Sequence, residues 1–432
     1  MATASAMNVR KITLKNGLRV LLVPRPAMLA ATVLILVRAG SEYETKSLNG
    51  ISHFLEHMTF KGTTKRPRPG MIAHELAALG AQSNAFTDQE YTGYYAKVRA
   101  EKLPEIFEIV SDLYLDPVFD PGEIDKERGV IIQEINMYED DLPVKAQEVL
   151  GRLVYGDQPA GWDVGGDRKV IGRLTRDDFM GYRAKHYIAA GTVVVVAGKF
   201  PEAATRRMIE ERFGVLPRGS AVRKPQTVER QSSPRVKLHF RKTDQAHLAI
   251  AFRAFDMFDE RRYALRVAAD VLGGGMSSRL FMRIREEMGA AYYVGAGTDL
   301  SLDHGTFGIS AGVDHGKIAE AMKGIFAECT RLRDEEVPAK ELRKSKDHIL
   351  GNLMLGLETS DDLASFYGSQ EIFGRKVLSP EAYVAKINRV TAAGIRAAVG
   401  AVFAEDRLNV AIVGPYRDPR AFLKLMRLGR KA

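Results

Sequence analysis

The sequence predicts an α+β fold built as two homologous halves, and three observations carry that prediction. First, strand-length apolar runs such as TVLILV (32–37) and VVVVAG (193–198) mix with longer amphipathic stretches such as EKLPEIFEIVSDLYL (101–115) and KIAEAMKGIFAECTRL (317–332). There is no regular βαβ alternation, which separates the pattern from a parallel α/β sheet. Second, LTRDDFMGYRAKHYIAAGTVVVVAG (174–198) recurs as VTAAGIRAAVGAVFAEDRLNVAIVG (390–414), ungapped at an offset of 216, and LILVRAG (34–40) matches LAIAFRA (248–254) at nearly the same offset. Two matches in one order indicate a duplication. Third, LPRGSAVRKPQTVERQSSP (216–234) is rich in Pro, Ser and charge and has no period, as a connector would be. The expected domains are therefore 1–217 and 234–432, joined by a linker at 218–233.

Composition narrows the classes. With 45% hydrophobic and 27% charged residues, the 432-residue chain reads as globular. Its apolar runs fall far short of the roughly 20 residues that span a bilayer, so no membrane partner is expected. The net charge of +9 is scattered, with RKPQ (223–226) and RLGRKA (427–432) the densest spots and no stacking motif alongside, so no nucleic-acid partner is expected either. Cys329 is the single cysteine, which precludes an internal disulfide and fits a reducing, cytoplasmic setting. The absence of acids before Glu42 is compatible with a transit segment. It is better explained by a hairpin, KITLKNGLRVLLV (11–23), turning at Asn16-Gly17. No apolar secretory core follows Met1.

The chemistry is concentrated in GISHFLEHMTFKGT (50–63). On a helix over 47–61, His53, Glu56 and His57 share one face, because positions i, i+3 and i+4 are neighbours. Both imidazoles then reach one ion with a carboxylate beside them, in the inverted order of the HExxH zinc motif. Zinc takes neutral imidazole nitrogens and a carboxylate as third protein ligand. The same spacing suits a helix whose histidines are merely solvated or packed, so a third ligand is needed. FDPGEIDKERGVIIQEINMYEDD (119–141) offers one: Asp120-Pro121-Gly122 reads as a helix start, and Glu127 and Glu134, seven apart, fall on one face. His74, in AHELAALG, has no partner at metal spacing and reads as an ordinary helix histidine. In the second half, GGGMSSRLF lacks the lysine of a phosphate-binding loop.

HFLEHMTFKGT followed 77 residues after His57 by ERGVIIQE resembles the inverzincin metallopeptidases of the pitrilysin/insulinase family. The closer likeness is to the branch of mitochondrial processing peptidase and its bacterial relatives, and it covers almost the whole chain. The resemblance implies one Zn2+ per chain held by His53, His57 and Glu134, Glu56 as general base, and Glu127 as an acid that orients a histidine. GAQSNAFTDQEYTGYYAKV (80–98) resembles the family's active-site edge strand, which implies Asn84, Ala85 and Phe86 as peptide contacts. Arg285 and Tyr292 resemble an arginine-tyrosine pair that the family's second half supplies to hold the substrate; Arg279, nearby, is given no chemistry. An offset of 215 carries 53, 56 and 57 onto Ala268, Val271 and Leu272, so the second half is expected to hold no metal.

Larger relatives close four such domains like a clamshell. A chain with two is expected to homodimerise, each copy lending Arg285 and Tyr292 to its partner, with mostly antiparallel sheets packed by helices. The implied function is a zinc endopeptidase acting on peptides or unfolded segments. Alternatives are a non-catalytic assembly subunit of the same family, or the catalytic subunit of a heterodimeric processing peptidase.

Overall fold

A computed structural model of the chain describes residues 9–429. The leading residues 1–8, read above for a secretory core, and the end of the basic RLGRKA stretch at 430–432 lie outside them. Among the described residues the chain forms two mixed α/β units, each a sheet covered by helices.

The first sheet comprises β1 (Arg10–Thr13), β2 (Arg19–Pro24), β3 (Ala30–Val37), β4 (Gln82–Thr87), β5 (Thr92–Arg99) and β6 (Thr192–Gly198), in the order β1-β2-β6-β3-β5-β4. All neighbours are antiparallel except β2 and β6. The expected hairpin is β1–β2: Gly17 has φ 95°, and Asn16 accepts from the Leu18 amide while its own amide donates to the Phe213 carbonyl. The second sheet comprises β7 (Arg235–Phe240), β8 (Ala246–Arg253), β9 (Ala291–Leu300), β10 (Gly305–Val313) and β11 (Leu408–Gly414), in the order β7-β11-β8-β10-β9, with β7 and β11 its parallel pair. The two orders superpose strand for strand from β2 and β7 onward. The duplication is therefore in the fold.

The register corrects one detail of the repeat. Val33 lies opposite Val196, and Leu248 lies opposite Ile412, the counterpart of Val196 at offset 216. Val33 thus corresponds to Leu248, at an offset of 215, and the match of LILVRAG with LAIAFRA is slipped by one residue. A one-residue slip exchanges the two faces of a strand. Nothing in the local sequence marks the slip, because both faces of β3 are buried and the strand is apolar at every position but Thr32.

Packing departs from the contiguous division in one respect. Each sheet has an inner face buried against its own helices. Its outer face is covered by one helix from the other half of the sequence. Helix Ser360–Ile372 puts Leu363, Ala364, Tyr367 and Ile372 against Leu21, Val23, Leu34, Leu36, Val193 and Val195 of the first sheet. Helix Leu142–Tyr155 puts Ala146, Val149, Leu150 and Val154 against Ala249, Ala251, Ala411 and Val413 of the second. The units are accordingly Met1–Ile135 with Trp162–Pro225 and Met354–Ser379, and Asn136–Gly161 with Gln226–Leu353 and Pro380–Ala432. The break at 218–233 follows the duplication, and the units differ from it by one exchanged segment each.

The helices expected over 101–115 and 317–332 run Leu103–Leu115 and Ile318–Asp334. Among the described residues no helix is long and apolar enough to cross a membrane.

Candidate metal centre and active site

The motif helix is shorter than 47–61. It runs Ile51–Thr59, and its two stripes have separate uses. Ile51, Phe54, Leu55 and Met58 are fully buried in the first unit's core, while His53, Glu56 and His57 occupy the opposite stripe. Its start is fixed by two devices. Gly50 caps it at φ 97°, pressed so close to Gly166 (φ 85°) that a Cβ on Gly50 would lie 2.8 Å from the Gly166 Cα. Glu44, buried, accepts from the amides of Gly50 (2.7 Å) and Ser52 (2.9 Å) and from the Asn49 side chain. Burial raises the Glu44 pKa against the pull of these hydrogen bonds. Gly50→Ala would combine left-handed strain with backbone overlap, for an expected loss of about 2–4 kcal/mol, read as a lower melting temperature of the metal-free protein. An unchanged melting temperature would mean that the Gly50–Gly166 contact is not a constraint.

The second element is helix Pro121–Asp140, entered through Asp120, whose carboxylate accepts from the Glu123 amide. Ile124, Glu127, Ile131 and Glu134 follow at steps of three, four and three residues, and so line one face. Arg128 ties the helix to the carbonyls of Ile171 and Leu174.

Between the two helices the side chains converge. His53 Nε2 and His57 Nε2 each lie 3.6 Å from Glu134 Oε2. Two ligands held tetrahedrally at about 2.0–2.1 Å from zinc sit roughly 3.3–3.4 Å apart, so these three atoms need only small shifts to share one ion. His57 Nδ1 meets Glu127 Oε1 at 2.9 Å, which assigns the proton to Nδ1 and leaves the Nε2 lone pair facing Glu134. His53 Nδ1 is buried without a hydrogen-bond partner among the described residues. Glu56 is buried, and its Oε2 accepts from the Thr87 hydroxyl at 3.2 Å. One of its carboxylate oxygens and one ring nitrogen of each histidine lie within 4.8 Å of one another. Glu56 is thus a rival third ligand on distance alone. Glu134 touches both imidazoles from the opposing helix and leaves Glu56 beside them.

The protonation pattern follows from burial and charge. Burial and the neighbouring His57 pull the His53 pKa down to about 4, which keeps it a neutral donor. Burial also pulls on His57, but the hydrogen bond to Glu127 and the charges of Glu56 and Glu134 outweigh it and raise the pKa. Burial raises that of Glu56. Burial likewise works against ionised Glu127, yet hydrogen bonds from His57 and Lys61 prevail and lower its pKa.

The proposed peptide contacts lie on β4, the terminal strand of its sheet. Alternation divides them. Ala85 faces the motif helix, with Thr87 two residues on. Phe86 faces the other side, its ring over Gly93 and against Tyr91. Asn84 turns its carbonyl back onto the Ala85 amide at 2.9 Å. In the second unit, Arg285 and Tyr292 do meet. Arg285 sits on a π-helical turn, Phe281–Glu287, with its guanidinium 4.8 Å from the Phe281 ring centre and 5.9 Å from that of Tyr292, which is 72% exposed at the start of edge strand β9. Arg279 is engaged by Glu341, and His74 stays on the exposed side of helix Met71–Ala78. Ala268, Val271 and Leu272 are fully buried, so the counterpart of the motif helix puts core where the first half puts His53, Glu56 and His57.

Sequence reasoning missed Glu44, Thr87 and Lys61. Each meets its partner through the fold: Glu44 the start of the motif helix, Thr87 Glu56, and Lys61 Glu127.

The chain's likeness to known proteins gives its family and fold. Residues 19–167 match the family profile "Insulinase (Peptidase family M16)", and residues 173–349 match "Peptidase M16 inactive domain". An uncharacterized zinc protease of Streptomyces coelicolor is 33% identical over 419 residues, 96% of this chain and 91% of that protein. Another, from Bacillus subtilis, is 32% identical over 409 residues, 94% and 98% respectively. In fold, the chain is similar to a protease from Helicobacter pylori, with a TM-score of 0.88 at 21% identity over 95% of this chain and 100% of that one. It is also similar to a peptidase M16 inactive domain from Pseudomonas fluorescens, with a TM-score of 0.86 at 20% identity over 95% and 99%. With both halves matched in order, and zinc proteases aligned nearly end to end, the chain belongs to the insulinase family of peptidases, family M16.

Proposed function

We propose that this chain is a zinc-dependent endopeptidase acting on peptides and unfolded segments. The observation that carries the reading is the meeting of His53 and His57 on one oxygen of Glu134, 3.6 Å from each, with buried Glu56 alongside. In this reading His53, His57 and Glu134 hold Zn2+, which when bound polarises the scissile carbonyl and lowers the pKa of water. Glu56 takes the proton of the attacking water and hands it to the amide nitrogen as the C–N bond breaks. Its burial, which raises its pKa, suits both halves of that transfer. The Thr87 hydroxyl fixes one of its oxygens.

An extended peptide adds to the open side of β4 and pairs with the backbone around Ala85. Asn84 and Phe86 contribute through their main chain, since the Phe86 ring packs on the other face. Arg285 and Tyr292 donate to the carbonyl oxygen as charge develops there. They come from a second copy in a homodimer, each copy completing its partner's site. The protein works in the cytoplasm, where its one cysteine, buried Cys329, stays a thiol.

Wild type should cleave a library of unstructured, quenched-fluorescent peptides, stop on chelation and recover with added zinc. A folded, zinc-loaded protein that leaves every peptide intact would sink the reading. The shared site has its own test. Glu56→Gln and Arg285→Ala proteins, each inactive alone, should regain part of the activity when mixed. If mixing restores nothing although the subunits exchange, the pair does not act across copies.

A further inference from the structure

Lys61 lies in the motif stretch but has no place in the mechanism above, and its surroundings give it one. The turn after the motif helix is set by two hydrogen bonds, from the Phe60 amide to the His57 carbonyl and from the Lys61 amide to that of Met58. Lys61 therefore follows His57 by four residues on the same side. Its Nζ reaches Glu127 Oε2 at 2.5 Å, while Oε1 of the same carboxylate meets His57 Nδ1 at 2.9 Å. Glu127 is thus a buried bridge, 5% exposed, between a lysine and a histidine.

We propose that Lys61 is a positioning residue for the metal centre: by pinning one oxygen of Glu127 it fixes the other on His57 Nδ1, and so aims His57 Nε2 at the ion. The inference rests on the zinc reading above. Two physical arguments support it. A carboxylate held by one contact rotates; held at both oxygens, it has one orientation, and the imidazole that donates to it inherits that orientation. A buried carboxylate also needs a partner for its charge. Glu56, Glu127 and Glu134 bring three negative charges around His57; a divalent ion supplies two positive charges and Lys61 the third. Without Lys61, Glu127 is free to turn from His57, and the Nε2 lone pair is no longer fixed.

A plain structural reading competes: the Lys61–Glu127 pair ties the motif turn to helix Pro121–Asp140 and does nothing more. Equilibrium zinc competition against a chromophoric chelator, together with thermal melting of the metal-free protein, separates the two. Lys61→Met should bind zinc about 10–100-fold more weakly, the range for a partner of a ligating histidine. The metal-free variant should still melt cooperatively, at a temperature lowered by the loss of the pair, and Lys61→Arg should recover most of the affinity. Because Lys61 acts through Glu127, Lys61→Met should add little to the loss caused by Glu127→Gln. Wild-type zinc affinity in Lys61→Met overturns the proposal, as does a full additional loss in the double variant. Should Lys61→Met not fold, Lys61→Gln carries the same comparison. If wild type itself takes up no zinc, the metallopeptidase reading fails, a result distinct from equal affinity in wild type and variant.

Discussion

Glu56→Gln is expected to keep the metal and to slow peptide hydrolysis by about 10²–10⁴-fold, the usual worth of a positioned base. Glutamine has the shape of glutamate and can still accept from Thr87, so the packing of the buried side chain is preserved. What is lost is the ability to take a proton from water. Rates on a fluorogenic peptide and zinc content of the purified protein give the two readouts. Their combination decides between the two candidate ligand sets, since one carboxylate oxygen of Glu56 lies within 4.8 Å of a ring nitrogen of each histidine. If Glu56→Gln sheds zinc while Glu134→Gln retains it, the third ligand is Glu56 and the base must be sought elsewhere. Wild-type turnover in Glu56→Gln would end its role as base altogether.

The second large effect concerns the exchanged helices. A fragment ending at residue 225 contains every proposed zinc ligand and the whole first sheet, but not helix Ser360–Ile372. Leu363, Tyr367 and Ile372 are almost fully buried against that sheet. At about 1.5–3 kcal/mol for each buried side chain, their removal costs on the order of 5–9 kcal/mol, as much as the whole stability of many domains. It also bares the apolar outer face formed by Leu21, Val23, Leu34, Leu36, Val193 and Val195. The fragment is therefore expected to aggregate, or to bind a hydrophobic dye without a cooperative melt. Supplying 354–379 by fusion should restore the melt. A cooperative, monomeric 1–225 fragment would show that the outer helix is dispensable.

What was legible in the sequence follows a physical divide. His53, Glu56 and His57 declare themselves because helical spacing puts them together without reference to the rest of the chain. Glu127 and Glu134 are legible at one remove, since a seven-residue step on a second helix gives one face and the pairing with the histidines gives that face a purpose. Lys61, Thr87 and Glu44 are ordinary residues until the fold brings them to Glu127, Glu56 and the motif helix. The same divide runs through the fold. Periodicity marks an apolar side on Leu142–Tyr155, whereas Ser360–Ile372 carries almost none, its buried positions being interleaved with polar ones. It does not tell which sheet covers that side, and a chain divided at its linker assigns both helices to the wrong partner. The one-residue slip between LILVRAG and LAIAFRA has a related cause: a strand buried on both faces carries no alternation from which to read its facing.

The exchange also bears on how such a chain arose. Shifted by 216, Leu142–Tyr155 falls on 358–371, almost the span of Ser360–Ile372, so each half gives the other the same helix. A single ancestral copy with this packing would have left its outer sheet face bare, whereas two copies trading that helix would have covered both faces. The doubled gene then reads as a tethered swapped pair. Once the two copies were joined, their ratio was fixed at one to one, and each became free to diverge. One copy carries His53, Glu56 and His57 on its motif helix, and the other fills the corresponding positions with Ala268, Val271 and Leu272.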